Sequence, residues 1–195
     1  MEYSLSSEDF FDQFGLSKLA HHWPTLLLST LTCQLIIYAS RMVSPLLFPK
    51  AYGSLKSIKR LSWDVHVVSL VHCIVICTLA FPLHWDPELV RDKIYGYSER
   101  TGEVYAIASG YFLWDTIFHV SHLKEFGIGF AVHGVACFCL GINSYVSEQV
   151  IISHSPCPVN NKLIVVATIF NVFWMRILDV RIEYTVFEFP LVHGM

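Results

Sequence analysis

An all-α bundle of about five membrane-spanning helices is the fold this sequence predicts, and three observations predict it. The 195 residues are 54% hydrophobic and only 15% charged, whereas a soluble domain carries about 25% charged residues. The apolar residues gather in runs that approach the roughly 20 positions a helix needs to cross a hydrocarbon core about 30 Å thick. Lys and Arg concentrate in one connecting loop, as the orientation rule for multi-pass proteins requires. A net charge of -3 with otherwise scattered basic residues lacks the phosphate-binding footprint of a nucleic-acid partner, so no nucleic-acid role is expected.

Residues 1–24 carry Glu2, Glu8, Asp9 and Asp12 without a basic stretch ahead of an apolar one. That argues against a cleaved signal peptide, and the segment reads as lumenal and interfacial. Phe10, Phe11, Phe14 and Leu16 are expected to rest in the interface, with Trp23 as a belt aromatic. Residues 25–53 supply the first span and the start of a basic cytosolic loop. The span runs from Thr25 to Leu47, interrupted by Arg41 and closed by Pro45 and Pro49.

The second span is Val65 to Leu83, ending at Pro82, and the third is Val104 to Val120. Gly127 to Ile142 is the fourth and Leu163 to Leu178 the fifth. The fourth is rich in Gly, Ala and Cys, and small residues let helix backbones approach closely, so a buried place in the bundle is expected for it.

The first loop holds Arg41, Lys50, Lys56, Lys59 and Arg60, against Lys18 alone in the N-terminal segment. This places the loop in the cytosol and the N-terminus in the lumen. Arg91, Lys93 and Arg100 in the second loop oppose that orientation and are outweighed by the acids beside them. Within the first loop, Ser54 to Trp63 sets Leu55, Ile58 and Leu61 at helical spacing among three cations. The pattern suits a helix lying on an anionic leaflet, and equally a solvated basic loop.

Cys33, Cys73, Cys77, Cys137 and Cys139 fall in apolar segments and only Cys157 in a polar one. A thiol in such places behaves as a small hydrophobe. With no CxxC pair, neither a disulfide framework nor a structural zinc is expected.

Asp115 lies inside an apolar run, where a carboxylate costs about 2.5 to 3.5 kcal/mol at mid-helix, so it needs a partner or a task. Positions 115, 119 and 122 fall within about 60° of one another on a helix, which gathers Asp115, His119 and His122 on one stripe. Such a stripe can shuttle protons, bind a metal or hold helices together. An HxxH step plus one acid is too short a pattern to specify a metal, and neither metal nor cofactor is expected. On the second span His66, Ser69 and His72 follow at steps of three, so neighbours touch while the outer two diverge by about 120°. His133 stands on the fourth span, and with His72 it is the expected partner of Asp115 across a helix interface. His21, His22, His84, His154 and His193 lie near helix ends or in loops and carry no assigned role.

The stretch from Trp63 to Ile142 resembles the TLC-domain family, the membrane domain shared by translocating-chain-associating proteins, ceramide synthases and several lipid-homeostasis proteins. The likeness is carried by WDVHVVSLVH (Trp63 to His72), by DKIYGYSERTGEVYAIASGYFLWD (Asp92 to Asp115) and by FAVHGVACFCLG (Phe130 to Gly141). Within it, Trp63, Gly110, Tyr111 and Trp114 match the family motif, and GYFLWD is the piece typical of the small members that are not ceramide synthases. Residues 54–191 are accordingly read as a TLC-like membrane domain. Ser144 to Glu183 departs from the family pattern, and only Phe187 to Leu191 is similar to its late motif.

The resemblance implies an integral, multi-pass membrane protein, expected in the endoplasmic reticulum, with membrane lipids as partners and a part in lipid homeostasis. The enzymatic alternative is a ceramide-synthase-type acyltransferase with His133 catalytic and acyl-CoA as co-substrate. Here the family's adjacent histidine pair is reduced to His133 followed by Gly134, without the acids that follow it there. A chaperone-like membrane protein that contacts other proteins is a further alternative.

Overall fold

A computed structural model describes residues 7–92 and 96–146, and every element among them is helical. The elements are α1 (Ser7–Asp12), α2 (Leu19–Leu47), α3 (Pro49–Ser54), α4 (Ser57–Ala80), α5 (Pro87–Arg91), α6 (Glu99–Ser121), α7 (Leu123–Phe126) and α8 (Ile128–Asn143). A 3-10 turn, Phe81–Trp85, joins α4 to α5. The predicted fifth span and the late motif at 187–191 lie outside the described residues.

The first predicted span starts earlier than expected, at Leu19, and neither Arg41 nor Pro45 breaks it. Two faces explain its persistence. Leu26, Cys33, Ile37, Ser40 and Ser44 recur at helical spacing on the buried side, while Leu28, Leu31, Leu35, Tyr38, Met42 and Leu46 form an exposed stripe opposite. A helix apolar on both sides is one that packs inward and meets hydrocarbon outward.

Two helical stretches, Leu19–Leu47 and Ser57–Trp85, are long and apolar enough to cross a membrane. The third predicted span grows into α6, which begins at Glu99 because Ser98 caps it: the Ser98 Oγ accepts the Thr101 N–H at 3.3 Å. Its length suffices for a crossing, but its first two turns carry Glu99, Arg100 and Glu103. The fourth, α8, has 16 residues and rises about 24 Å, short of the ~30 Å core.

Cross-helix contacts fix the arrangement. On α2, Ser29, Thr30 and Gln34 meet Ile107, Gly110 and Trp114 of α6 in the same chain order, so the two helices run parallel. Ser40 and Ser44 of α2 meet Asp64 and Trp63, which sets α4 antiparallel. Gly134 of α8 faces Thr116 and Gly141 faces Ser109, so α8 is antiparallel to α6. The central position therefore belongs to α6, which touches α2, α4 and α8. The buried place expected for α8 is not found: Ala131, Gly134 and Cys137 pack inward, but Val132, Val135 and Leu140 are exposed. Its small residues are divided between the two faces, with Ala136 and Cys139 on the exposed one.

Ser54 to Trp63 is not a separate surface helix. Its first residues close α3 and turn, and Ser57–Trp63 forms the opening turns of α4. Near the N-terminus, Phe11 and Leu16 pack on the cluster around Leu19, Leu26 and Tyr105, whereas Phe10 and Phe14 stay exposed.

A β-carbon at Gly110 would collide with the Leu26 carbonyl and Ser29. At Gly129 it would meet nothing within 4 Å. Gly110→Ala is therefore expected to lower the thermal midpoint of the detergent-purified protein, by an overpacking cost of about 1–3 kcal/mol, while Gly129→Ala leaves it in place. Equal midpoints for the two variants would contradict the close α2–α6 approach.

Candidate functional site

Asp115 is 3% exposed, in the middle of the central helix. Its surroundings come from four helices. His119 Nδ1 lies 3.3 Å from Asp115 Oδ1 and 2.8 Å from the Asp115 carbonyl, one turn along α6. Cys33 of α2, His72 of α4 and Cys137 of α8 are each within electrostatic reach of the carboxylate. The interior placement expected for Asp115 is thus what the fold produces, and the described ion pair is with its own helical neighbour.

His119 is fully buried, stacked on Phe130 (5.3 Å, 17°) and edge-on to Phe126 (5.3 Å, 86°). Its Nδ1 donates to the Asp115 carbonyl, and Nε2 has no hydrogen-bond partner among the described residues. His72 is stacked flat on Tyr111, 4.0 Å between centroids at 8°, and the Tyr111 hydroxyl pairs with Ser69 Oγ at 2.9 Å. Ser69 also donates back to the Val65 carbonyl. Asp115 therefore stands between two buried polar groups, His72, Ser69 and the motif residue Tyr111 at the α4–α6 contact and His119 packed toward α7 and α8.

The other predicted residues fall elsewhere. His122 sits at the C-terminal end of α6, half-buried, donating to the Phe118 carbonyl at 2.9 Å and stacked on Phe118. The stripe of three is thus a buried pair plus a helix end. His66 donates to the Ser62 carbonyl at 2.6 Å. His133 lies edge-on to Phe112, with its Nε2 3.6 Å from Cys137 Sγ. Trp114 donates from Nε1 to Gln34 Oε1 at 2.9 Å, Trp63 to Ser44 Oγ at 3.1 Å, and Gly110 forms the seam with α2. Among the described residues no group of three or more His, Cys, Asp or Glu side chains is arranged to hold a metal ion.

Sequence reasoning missed two clusters. Asp64, 1% exposed at the start of α4, accepts from Ser40 Oγ at 2.7 Å and from the Tyr52 hydroxyl at 3.2 and 3.3 Å. Arg41 Nε approaches it at 3.5 Å. This one carboxylate ties α2, α3 and α4 together and accounts for Arg41 within a span. At the other end of the bundle, His22 of α2 is buried between Glu103 (Nδ1 to Oε1, 3.1 Å) and the Tyr97 hydroxyl (Nε2, 2.7 Å). Burial first, then Glu99 and Glu103, push the Tyr97 phenol up to about 12. WDVH and the early histidines were the available signals, but both lay at expected span ends.

Residues 62–155 match the TLC domain. The chain belongs to the TLC-domain family. An uncharacterized TLC domain-containing protein of Schizosaccharomyces pombe is 39% identical over 136 residues, which is 70% of this chain and 47% of that relative. TLC domain-containing protein 4 C of Dictyostelium discoideum is 31% identical over 101 residues, 52% of this chain and 36% of its own length. The topoisomerase I damage affected protein 4 of Saccharomyces cerevisiae is 28% identical over 107 residues, 50% and 36% respectively. The chain thus spans less than half the length of these relatives. No solved structure matches it. The TLC match opens at residue 62, so it includes Asp64, the buried polar groups around Asp115 and α8, whereas α2 precedes it.

Asp64→Leu would strand the Ser40 and Tyr52 hydroxyls in a buried place, at about 1–3 kcal/mol for each unsatisfied group. Asp64→Asn keeps an oxygen that both can reach. Thermal unfolding in detergent is expected to rank the variants parent, Asn, Leu in falling stability. Indistinguishable Asn and Leu midpoints would show that the hydroxyl bonds do not hold this corner.

Proposed function

We propose that this chain is a multi-pass membrane protein of the endoplasmic reticulum that takes part in lipid homeostasis by binding membrane lipid. The observation that carries the reading is a buried carboxylate and imidazole pair, Asp115 with His119, inside a bundle whose outer faces are apolar. Ionisable groups at that depth are costly and mark functional interiors in membrane proteins. Large exposed apolar faces of this kind suit a lipid surround. The polar groups around Asp115 offer a lipid hydroxyl or amide a place to hydrogen-bond, with His119 Nε2 as the ring nitrogen that lacks a partner among the described residues.

The acyltransferase alternative needs a second histidine beside His133 or another group to orient it. Position 134 is a glycine pressed against Thr116, where even a β-carbon would collide with the threonine side chain. Packing at this seam therefore favours the reading without acyl transfer.

Two experiments test the proposal. Native mass spectrometry of the full chain, released from mild detergent, is expected to retain lipid in the parent and less in Asp115→Leu. A parent that carries no lipid above a detergent background would remove the basis of the reading. Purified protein given acyl-CoA and a sphingoid base is expected to form no ceramide, and turnover abolished by His133→Ala would put the enzyme first.

Orientation follows from the basic first loop, which belongs on the cytosolic side with the N-terminus lumenal. A glycosylation acceptor inserted near Ala51 is expected to stay unmodified in cells. One placed near Ser7 should be modified, and the reverse pattern would invert the topology.

A further inference from the structure

A groove of about 230 Å³ lies along the lipid-facing side of α2, where α4 and α6 meet it. It reaches from Thr25 to Ile36 on α2, with Val71 to Val75 of α4 as the facing wall and Ile107 of α6 beneath. Eleven helical steps make it about 16 Å long, close to the hydrocarbon depth of one leaflet, half of ~30 Å. Two of its lining residues, Leu28 and Val75, are 64% and 39% exposed, so the groove opens outward rather than into the bundle.

Its chemistry selects the occupant. Two of the three lining hydroxyls are already committed: Ser29 Oγ donates to the Ile107 carbonyl at 2.8 Å and Thr32 Oγ1 to the Leu28 carbonyl at 2.8 Å, while the third, Thr25, stands at one end of the groove. His72 presents itself with one ring face covered by Tyr111. The remaining surface is mostly aliphatic, from Leu28, Ile36, Val71, Val75 and Ile107, so a headgroup would find little to bind there. A small volume drawn out over 16 Å suits a single file of methylenes. The groove also lies within the length of two helices that are long and apolar enough to cross a membrane.

We infer that this groove holds one linear acyl chain of a membrane lipid. The inference rests on the lipid-binding reading above and assigns it a place. It also gives that place a connection: His72 lines the groove and lies within electrostatic reach of Asp115, so it is shared by the chain site and the buried carboxylate. The α2 wall precedes the residues that match the TLC domain, so the groove is formed between that domain and the helix ahead of it.

The full chain in nanodiscs containing phosphatidylcholine with a diazirine-bearing acyl chain tests this directly, with the adducts mapped by peptide mass spectrometry. Adducts are expected to concentrate on Thr25–Ile36 and Val71–Val75, above the level at Leu46 and Val132, which are exposed apolar positions elsewhere. Thr32→Trp, at an exposed position on the groove wall, should fill it and reduce its labelling to that background. An unchanged thermal midpoint shows that this variant folds; should it not fold, Val71→Trp serves the same purpose. Even labelling over all exposed positions, or groove labelling undiminished in a folded Trp variant, overturns the assignment. Preferential labelling by a diazirine sterol would overturn the linear chain as occupant. If the parent retains lipid by native mass spectrometry while labelling is even, the groove alone is wrong and the lipid-binding reading survives.

Discussion

Everything else in this bundle depends on how closely α6 approaches its neighbours. Between helices surrounded by lipid there is little hydrophobic drive to associate, so contact distance and interhelical hydrogen bonds must supply the attraction. Gly110 lets the α2 backbone settle onto α6, and at that separation Ser29 and Thr30 donate to the Ile107 and Gly110 carbonyls. On the opposite flank Gly134 admits Thr116. A wider spacing would lose the hydroxyl bonds and disperse the groups around Asp115, since Cys33 and Cys137 reach it from α2 and α8 respectively.

The two buried carboxylates are accommodated in different ways. Asp64 is surrounded by donors drawn from other helices, two hydroxyls and a guanidinium, so its charge is met where the chain turns between α2 and α4. Such a carboxylate holds a corner. Asp115 has its described ion pair on its own helix, and its other charged or polarisable neighbours stand on three separate helices. A group placed so is sensitive to small shifts of any of them, which suits a site that responds to an occupant better than one that only fastens.

Much of this was legible from the residues. Helical runs, the interior position of Asp115 and the proximity of His119 follow from hydropathy and a period of 3.6. Asp64 escaped notice because the second span was drawn from Val65, one residue past it, whereas α4 begins at Ser57, and because Ser40 and Tyr52 are 24 and 12 residues away. Similarly, His22 gains its importance from Tyr97 and Glu103, 75 and 81 positions on. Composition also cannot say which small residues meet a neighbouring helix: on α8 Ala131, Gly134 and Cys137 pack inward while Ala136 and Cys139 do not, and that is why a deeper place was expected for it. Local pattern reports what a segment is, and pairing at long separation reports what it is for.

The parallel course of α2 and α6 has a consequence for biosynthesis. Residues that bond across this seam are separated by about 80 positions, as in Thr30 with Gly110 and Gln34 with Trp114. At roughly 5–20 residues per second, several seconds of translation pass before α2 meets the helix it is built to receive. During that interval its Ser29, Thr30 and Gln34 side chains must be tolerated without their final partners, and α4, packed antiparallel on the same helix, is made first. The order of synthesis therefore lets α2 and α4 form a hairpin early, with the Asp64 corner as its clasp, and leaves the central helix to enter a cleft already half built.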